Sequence, residues 1–277
     1  MINLFIALQA ILPQHLLSRM IGWLAELERP VWLKNLLITL FMQAYGISLD
    51  EAEHPNAEQY RNFNHFFTRA LEEGARPLAG TRYVSPADGI LSQRGDVDDG
   101  QLVQAKGRWY DTRGLLAGSE EEAANFDNGS FATVYLSPKD YHRVHMPISG
   151  TLRMTRYVPG DLFAVNNSTT AGVDQLFARN ERLVCFFDTA DGQLAVVLVG
   201  AIIVAGIETV WGGVESPNPG TIREHRFNPE EGPTLEAGAE LGRFFLGSTV
   251  VLLTEKNGLQ WRAGHDDKVL VRAALAD

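Results

Sequence analysis

The chain has 277 residues, 45% hydrophobic and 21% charged, which is the composition of a globular protein with one large core or two smaller ones. Its formal net charge of −10 argues against nonspecific nucleic-acid binding, which needs a basic surface, and against adsorption to anionic lipid by bulk charge. Its single cysteine, Cys185, excludes an intramolecular disulfide and a cysteine metal cluster, and its apolar neighbours predict a small buried residue.

Residues 1–45 differ from the rest of the chain, because apolar residues recur there at helical spacing. Pro13 and Pro30 divide this pattern into three predicted amphipathic helices, none of which has the roughly 20 apolar residues that a membrane span needs. The apolar faces would either pack on the protein's own core or lie in a membrane surface, where Trp23 and Trp32 would suit the interface. The segment is a poor signal peptide, so the remainder is expected to stay in the cytoplasm.

The remainder of the chain is predicted to be rich in strands. Residues 46–62 are polar and predict a linker, and a short helix is predicted near 63–73. The run 194–207 predicts two buried strands or one bent strand. The fold class is therefore predicted to be α+β, with N-terminal amphipathic helices and a β-rich, sandwich-like or barrel-like core. The predicted strand segments are residues 83–105, 131–136, 150–158, 183–187, 194–210, 222–227 and 243–254.

Two histidines lie close together in residues 137–147. Ser137 followed by proline is typical of a helix start, so the pattern predicts one helical turn that ends at Pro147. On such a turn, His142 and His145 would share a face. Three interpretations remain open: a metal site that lacks an evident third ligand, two unrelated histidines, or an acid–base group that titrates near physiological pH.

An aspartate and a serine are the other candidates for chemistry. Asp88 precedes a glycine and is either a turn residue or the carboxylate that orients a histidine. Ser248 interrupts a strand-like apolar run together with Gly247. This interruption is either a bulge in a buried strand, or a serine that can attack its own preceding carbonyl because glycine permits close approach.

Four motifs together resemble those of bacterial phosphatidylserine decarboxylases. Residues 246–249 (LGST) resemble that family's signature, and residues 140–147 (DYHRVHMP), 86–89 (PADG) and 63–69 (FNHFFTR) resemble its histidine, aspartate and helical motifs. The order and spacing match over nearly the whole chain. The resemblance implies membrane-associating helices at 1–45, a linker at 46–62 and a β-rich catalytic domain at 63–277.

The resemblance also implies that Asp88, His145 and Ser248 first act on the chain itself. His145, held by Asp88, would take the proton of Ser248, whose Oγ would attack the carbonyl of Gly247. The ester formed in this way would break, leaving a large subunit of residues 1–247 and a small subunit of residues 248–277. Ser248 would become a pyruvoyl group, the covalent cofactor, and no metal is expected.

The implied reaction is decarboxylation of phosphatidylserine to phosphatidylethanolamine and CO₂ through a Schiff base with the pyruvoyl group. His142 is the candidate proton donor or substrate-positioning group. The expected partners are phosphatidylserine in the membrane and the two subunits, which would remain a heterodimer; dimerisation of this pair is left open. The expected location is peripheral, on the cytoplasmic face of the cell membrane.

Two other functions remain open. A membrane-associated serine hydrolase of lipid esters could use Asp88, His145 and Ser248 without self-cleavage, although the serine lacks the Gly-x-Ser-x-Gly elbow. A noncatalytic β-sandwich module would use none of them. Nearby arginines are interpreted as ordinary solvated side chains and left out of the site; they are Arg143, Arg153 and Arg156.

Overall fold

A computed structural model describes residues 9, 14–105, 107–202, 206–216, 220–228, 230–245 and 248–277. Two helices begin the described chain, α1 (Gln14–Ala25) and α2 (Val31–Tyr45), each directly after a proline as predicted. The predicted helix before them lies outside the described residues, apart from Gln9. The shorter helices are a 3-10 turn (Ala57–Gln59), α3 (Phe63–Phe67), α4 (Thr112–Leu116), α5 (Glu120–Ala124), α6 (Asn167–Thr170) and α7 (Leu176–Arg179).

The strands account for most of the regular structure after α3. They are β1 (Tyr83–Val84), β2 (Gly89–Asp96), β3 (Gln101–Ala105), β4 (Arg108–Asp111), β5 (Ser130–Leu136), β6 (Arg143–His145), β7 (Gly150–Val158), β8 (Arg182–Thr189), β9 (Gly192–Val199), β10 (Gly206–Thr209), β11 (Gly213–Ser216), β12 (Arg223–Arg226), β13 (Thr234–Leu235), β14 (Glu240–Phe245), β15 (Ser248–Thr254), β16 (Lys268–Val269) and β17 (Ala274–Ala276).

The main sheet is antiparallel and has the strand order β12-β7-β8-β9-β15-β5-β2-β16, with β13 also paired to β7. A second antiparallel sheet has the order β11-β10-β14-β6. Both sheets end in free edges within the described chain. The predicted α+β class is therefore confirmed, and the described strands do not close into a barrel.

The core lies on both faces of the main sheet, with β15 near its centre. Every residue of β15 is buried, and alternate residues point to opposite faces. Val250 and Leu252 belong to one apolar cluster, whereas Val251 and Leu253 belong to another. Cys185 is fully buried in the first cluster, as predicted.

Helices α1 and α2 pack on α3 through a third cluster and through buried polar contacts. The Lys34 ammonium donates to the carbonyl of Tyr60 at 2.6 Å. The Glu26 carboxylate accepts from the side-chain amides of Asn62 and Asn64, each at 2.6 Å. These contacts fix the helix pair to the body of the protein. The buried cluster consists of Ala25, Ile38, Leu49, Ala52, Tyr60, Phe66 and Phe67.

The segment 137–147 does not form the predicted helical turn. Its first residues make a tight turn, in which the Asp140 carboxylate accepts from the backbone N–H of Ser137 at 2.8 Å and from its hydroxyl at 2.6 Å. The chain then enters β6, whose backbone pairs with β14. The hydrogen bonds to this strand, which is distant in sequence, outweigh the local preference for a helix. His142 and His145 therefore do not share a helix face.

No helix in the described ranges is both long enough and apolar enough to cross a bilayer.

Candidate functional site

Ser248 lies at a cavity of about 170 Å³, here called the chamber. It is the first residue of β15 and fully buried, and its Oγ has no hydrogen-bond partner among the described residues. A buried hydroxyl without a partner costs about 1–3 kcal/mol, and a catalytic role is one explanation for such a group. The chamber is lined by Phe41, Tyr45, Phe67, Tyr135, Leu136, Pro138, Ala164, Val165, Asn166, Ala201, Ile202 and Ser248.

The predicted cleavage position is adjacent to this serine. Leu246 and Gly247 lie outside the described residues. Just before them, the backbone N–H of Phe244 donates to the carbonyl of His142 at 3.0 Å. Strand β14 is therefore held against the histidine segment up to the last residue that the structure describes before the gap.

His142 lies beside the chamber. Its ring packs on that of Phe67, a chamber residue, with 4.0 Å between the ring centroids. Nδ1 faces the carbonyl of Asp140 at 2.8 Å and so carries the proton, whereas Nε2 is buried and has no partner among the described residues. Burial lowers the pKa of His142 to about 3, so the imidazole is neutral with a free lone pair on Nε2.

A buried arginine, Arg69, holds the backbone just before His142 and helps burial to lower the pKa of that histidine. Arg69 donates through Nη2 to the carbonyl of Lys139 at 3.1 Å, and its guanidinium lies 5.7 Å from the ring centre of Phe66. Its charge is a further cause of the lowered pKa of His142. Sequence reasoning did not single out Arg69 or Phe67, although both lie in the FNHFFTR motif.

His145 lies at a second cavity, of about 290 Å³, whose lining residues do not include Ser248. Its Nδ1 faces the carbonyl of Gly238 at 2.8 Å and donates, so Nε2 accepts from the Tyr141 hydroxyl at 3.0 Å. Burial lowers the pKa of His145 and raises that of Tyr141. Both groups are therefore neutral, and Tyr141 is a site residue that sequence reasoning missed.

Asp88 lies near His145 without bonding to it. Its carboxylate accepts from Arg76 Nη2 at 3.1 Å and from the backbone N–H of Val271 at 2.8 Å. The backbone N–H of His145 donates to the carbonyl of Pro86 at 2.7 Å, so the two segments are adjacent. The structure thus groups Asp88 with His145, and His142 with the Ser248 chamber. Within the described chain, no hydrogen bond joins the side chains of these two groups.

Two further kinds of candidate group, in the part of the chain that the structure describes, are clusters of metal ligands and the arginines near the histidine segment. No group of three or more His, Cys, Asp or Glu side chains could hold a metal ion there. The three arginines near the histidine segment each form an ion pair with a carboxylate, and Arg156 is buried, so the interpretation as a solvated side chain is wrong for that residue. These pairs are Arg143–Glu240 at 2.8 Å, Arg153–Asp188 at 2.6 Å and Arg156–Glu122 at 2.9 Å.

Comparisons with known proteins agree with one another. The family model described as phosphatidylserine decarboxylase matches residues 63–276, and a second model, described as PSD, matches residues 4–46. A protein of Alcanivorax borkumensis named phosphatidylserine decarboxylase proenzyme is 55% identical over 91% of this chain and 87% of its own length. Proteins of the same name from Ectopseudomonas mendocina and Hahella chejuensis are 53% and 49% identical, over 94% and 98% of this chain and 92% and 91% of their own lengths. The chain belongs to the phosphatidylserine decarboxylase family, a family of decarboxylases.

Proposed function

We propose that this chain is the precursor of a phosphatidylserine decarboxylase and that it cleaves itself between Gly247 and Ser248. The observation that carries this proposal is the buried, unpartnered Oγ of Ser248 at a chamber beside a neutral histidine. The names of the relatives, which are proenzymes, support processing of the chain.

His145 is the proposed base for self-cleavage. The carbonyl of Gly238 fixes the proton on Nδ1, so Nε2 has the lone pair that a base needs. Because Ser248 lines the other cavity, taking its proton requires the two side chains to be brought together, and Nε2 then exchanges its hydrogen bond from Tyr141 for one from the serine hydroxyl. Asp88 lies on the adjacent backbone segment, where Arg76 and the backbone N–H of Val271 hold its carboxylate, and its proposed role is to stabilise the imidazolium from that position.

The proposed self-cleavage needs only groups of the chain itself and one water molecule. Ser248 Oγ bonds to the carbonyl carbon of Gly247, the peptide C–N bond breaks, and the nitrogen takes a proton, giving an ester. Loss of the Ser248 α-proton then breaks the Cβ–Oγ bond and releases Gly247 as a carboxylate. The remaining enamine tautomerises to an imine, and water replaces its nitrogen, which leaves as ammonia. A pyruvoyl group remains at position 248.

The position of Ser248 fits a pyruvoyl group, because this conversion removes the unpartnered buried hydroxyl. The group would supply a carbonyl that takes up the substrate's amine and accepts the electrons left when CO₂ departs. The proposed role of His142 is to position the substrate. Its neutral Nε2, which has no partner among the described residues, can accept a hydrogen bond from the substrate's amino group.

An apolar groove next to the chamber offers a place for a lipid chain. This groove, of about 390 Å³, lies between α1 and α2, and Phe41 lines both the groove and the chamber. We therefore place an acyl chain of the substrate in the groove, with the head group at Ser248. The groove is lined by Ile21, Leu24, Ala25, Leu37, Leu40, Phe41, Ala44 and Phe63.

The helix pair supports peripheral attachment to a membrane, and we propose the cytoplasmic face of the cell membrane as its location. Helix α1 buries the polar residues Gln14 and Ser18 and exposes apolar ones, the reverse of an ordinary surface helix. A patch of this kind marks an interaction surface, and tryptophans suit the lipid interface. The exposed apolar residues of the pair are Leu16, Met20, Trp23, Leu24, Val31, Trp32, Leu36, Leu40 and Tyr45.

The two cleavage products are expected to remain together. Strand β15 of the small subunit pairs along its whole length with β5 and over six residues with β9. Strands β16 and β17 pair with β2 and β1. Cleavage before Ser248 breaks none of these ladders, so the heterodimer has the sheet as its interface.

Intact mass and a denaturing gel of wild type and Ser248→Ala test the proposal. We expect wild type to give two fragments, with the smaller one blocked to Edman sequencing, and to release CO₂ from phosphatidylserine. Ser248→Ala should remain folded, unbroken and inactive. The matched control is Ser130→Ala, a fully buried serine at the far end of β5, which should still be cleaved. An unbroken wild-type chain with an ordinary serine, which hydrolyses lipid esters and releases no CO₂, would instead favour the serine hydrolase.

A further inference from the structure

The wall segment, residues 162–166, is held by side-chain amides and has no regular secondary structure. Three successive backbone N–H groups donate to amide oxygens: Leu162 to Gln14 at 2.7 Å, Phe163 to Asn180 at 3.1 Å and Ala164 to Gln9 at 2.8 Å. Ala164, together with the two residues after it, lines the chamber that holds Ser248. The position of these three amides therefore sets the position of one chamber wall.

One amide anchors the wall segment to the core of the protein. Asn180 also donates through Nδ2 to the carbonyls of Phe163 and Gly200, both at 2.8 Å. Gly200 directly precedes Ala201, another chamber residue. The core therefore holds the middle of the wall segment from one side.

The other two amides belong to the N-terminal region. Gln14 is the first residue of α1, and its Nε2 donates to the carbonyl of Gln9 at 2.7 Å. Gln14 is 9% exposed and Gln9 is 2% exposed. Burying an amide oxygen is unfavourable unless it is hydrogen-bonded, and here the N–H groups of Leu162 and Ala164 donate to the oxygens of Gln14 and Gln9. The same helix turns Met20 and Trp23 to the outside, so α1 joins an exposed apolar surface to the chamber wall.

We propose that Gln9 and Gln14 are positioning residues that couple the seating of α1 on a lipid surface to the shape of the Ser248 chamber. This inference rests on the proposed function. When the exposed face of α1 settles into lipid, the N-terminal end of the helix moves relative to the core, because the contacts of Glu26 and Lys34 hold only α2 and the C-terminal end of α1. The two glutamines transmit this movement to Leu162 and Ala164, while Asn180 holds the segment between them. The chamber therefore accepts substrate best when the enzyme lies on the bilayer that contains it.

Gln14→Met tests the coupling, because methionine has a similar shape but cannot accept the N–H of Leu162. Mature enzyme is assayed on long-chain phosphatidylserine in vesicles and on dihexanoyl phosphatidylserine dispersed as monomers. We expect the ratio of the two rates to fall at least about fivefold in the variant, the lower end of the usual range for a coupling between two sites. Vesicle binding itself should not change, because Gln14 is buried. The matched control is Gln104→Met. Its buried amide accepts the N–H of Leu176 at 2.7 Å and donates to the carbonyls of Thr170 and Val173, none of which belongs to α1, so its ratio should equal that of wild type.

A second measurement does not depend on catalysis. Hydrogen–deuterium exchange of the peptide covering 162–166 should change when vesicles are added to wild type and should not change in Gln14→Met. An equal fall of both rates in Gln14→Met, or wild-type exchange that ignores vesicles, overturns the coupling. If wild type forms no phosphatidylethanolamine from either lipid, the proposed function fails, and the exchange measurement still decides the coupling.

Discussion

The two tryptophans of the helix pair allow the proposed membrane surface to be tested without disturbing the fold. Trp23 is 69% exposed and Trp32 is 66% exposed, so neither ring contributes much to the core. We expect Trp23→Ser and Trp32→Ser each to weaken binding to phosphatidylserine vesicles, while self-cleavage and the thermal midpoint stay as in wild type.

The expected loss of binding free energy follows from the exposed area of each tryptophan side chain. A tryptophan side chain has about 200 Å² to bury, so two thirds of it is about 130 Å², which corresponds to about 3 kcal/mol as an upper limit. A ring at the lipid interface keeps part of its surface in water, so about half of this free energy is expected. A loss of about 1.4 kcal/mol weakens binding about tenfold for each substitution.

Vesicle flotation over a range of lipid concentrations measures the dissociation constant directly. The matched control is Trp109→Ser, because Trp109 is 50% exposed but lies on β4, away from the helix pair. If Trp109→Ser weakens binding as much as the helix substitutions, or if the double variant Trp23→Ser/Trp32→Ser binds like wild type, the helix pair is not the membrane surface.

Three further predictions concern substitutions in the site and in the helix pair beside it. The pKa of His142 is about 3 in the folded protein and about 6.5 in the unfolded chain, so between these pH values only the unfolded chain binds this proton. The free energy of unfolding of wild type should therefore fall by about 2 kcal/mol between pH 7 and pH 5. Urea titrations of His142→Gln should not show this loss. Lys34→Met leaves the Tyr60 carbonyl unpaired and should cost about 2 kcal/mol in the same assay, with exposed Lys139→Met as the neutral control. Phe67→Leu removes the ring that packs against His142, so the imidazole is held less firmly and kcat on dispersed lipid should fall about tenfold while self-cleavage proceeds. An unchanged kcat would argue against a role for His142.

The elements with strong local signals could be predicted from sequence. Helices α1 and α2 begin directly after Pro13 and Pro30, since proline fits the start of a helix and breaks its interior. Strand β7 coincides with the predicted segment 150–158. The run at 194–207 proved to contain β9 and the beginning of β10, which confirms one of the two alternatives.

Contacts between distant segments could not be predicted in the same way. The residues at 137–147 have a local helix signal, yet β14, almost a hundred residues later, pairs with them as a strand. The pairing of Asp88 with Arg76, and that of Tyr141 with His145, depends on this tertiary arrangement. The motifs therefore identify the reactive residue types, whereas the fold decides which of them share a cavity.

Deleting residues 1–45 is a less specific test of membrane attachment than substituting the tryptophans. Phe41 and Tyr45 line the chamber, and Gln14 holds the wall segment, so the deletion removes part of the site as well as the proposed lipid surface. We expect the truncated protein to lose activity on dispersed short-chain lipid, on which the double tryptophan variant should match wild type. Full activity of the truncated protein on that substrate would show that the helices serve only as an anchor. The expected loss would show instead that the element that meets the bilayer also forms part of the chamber.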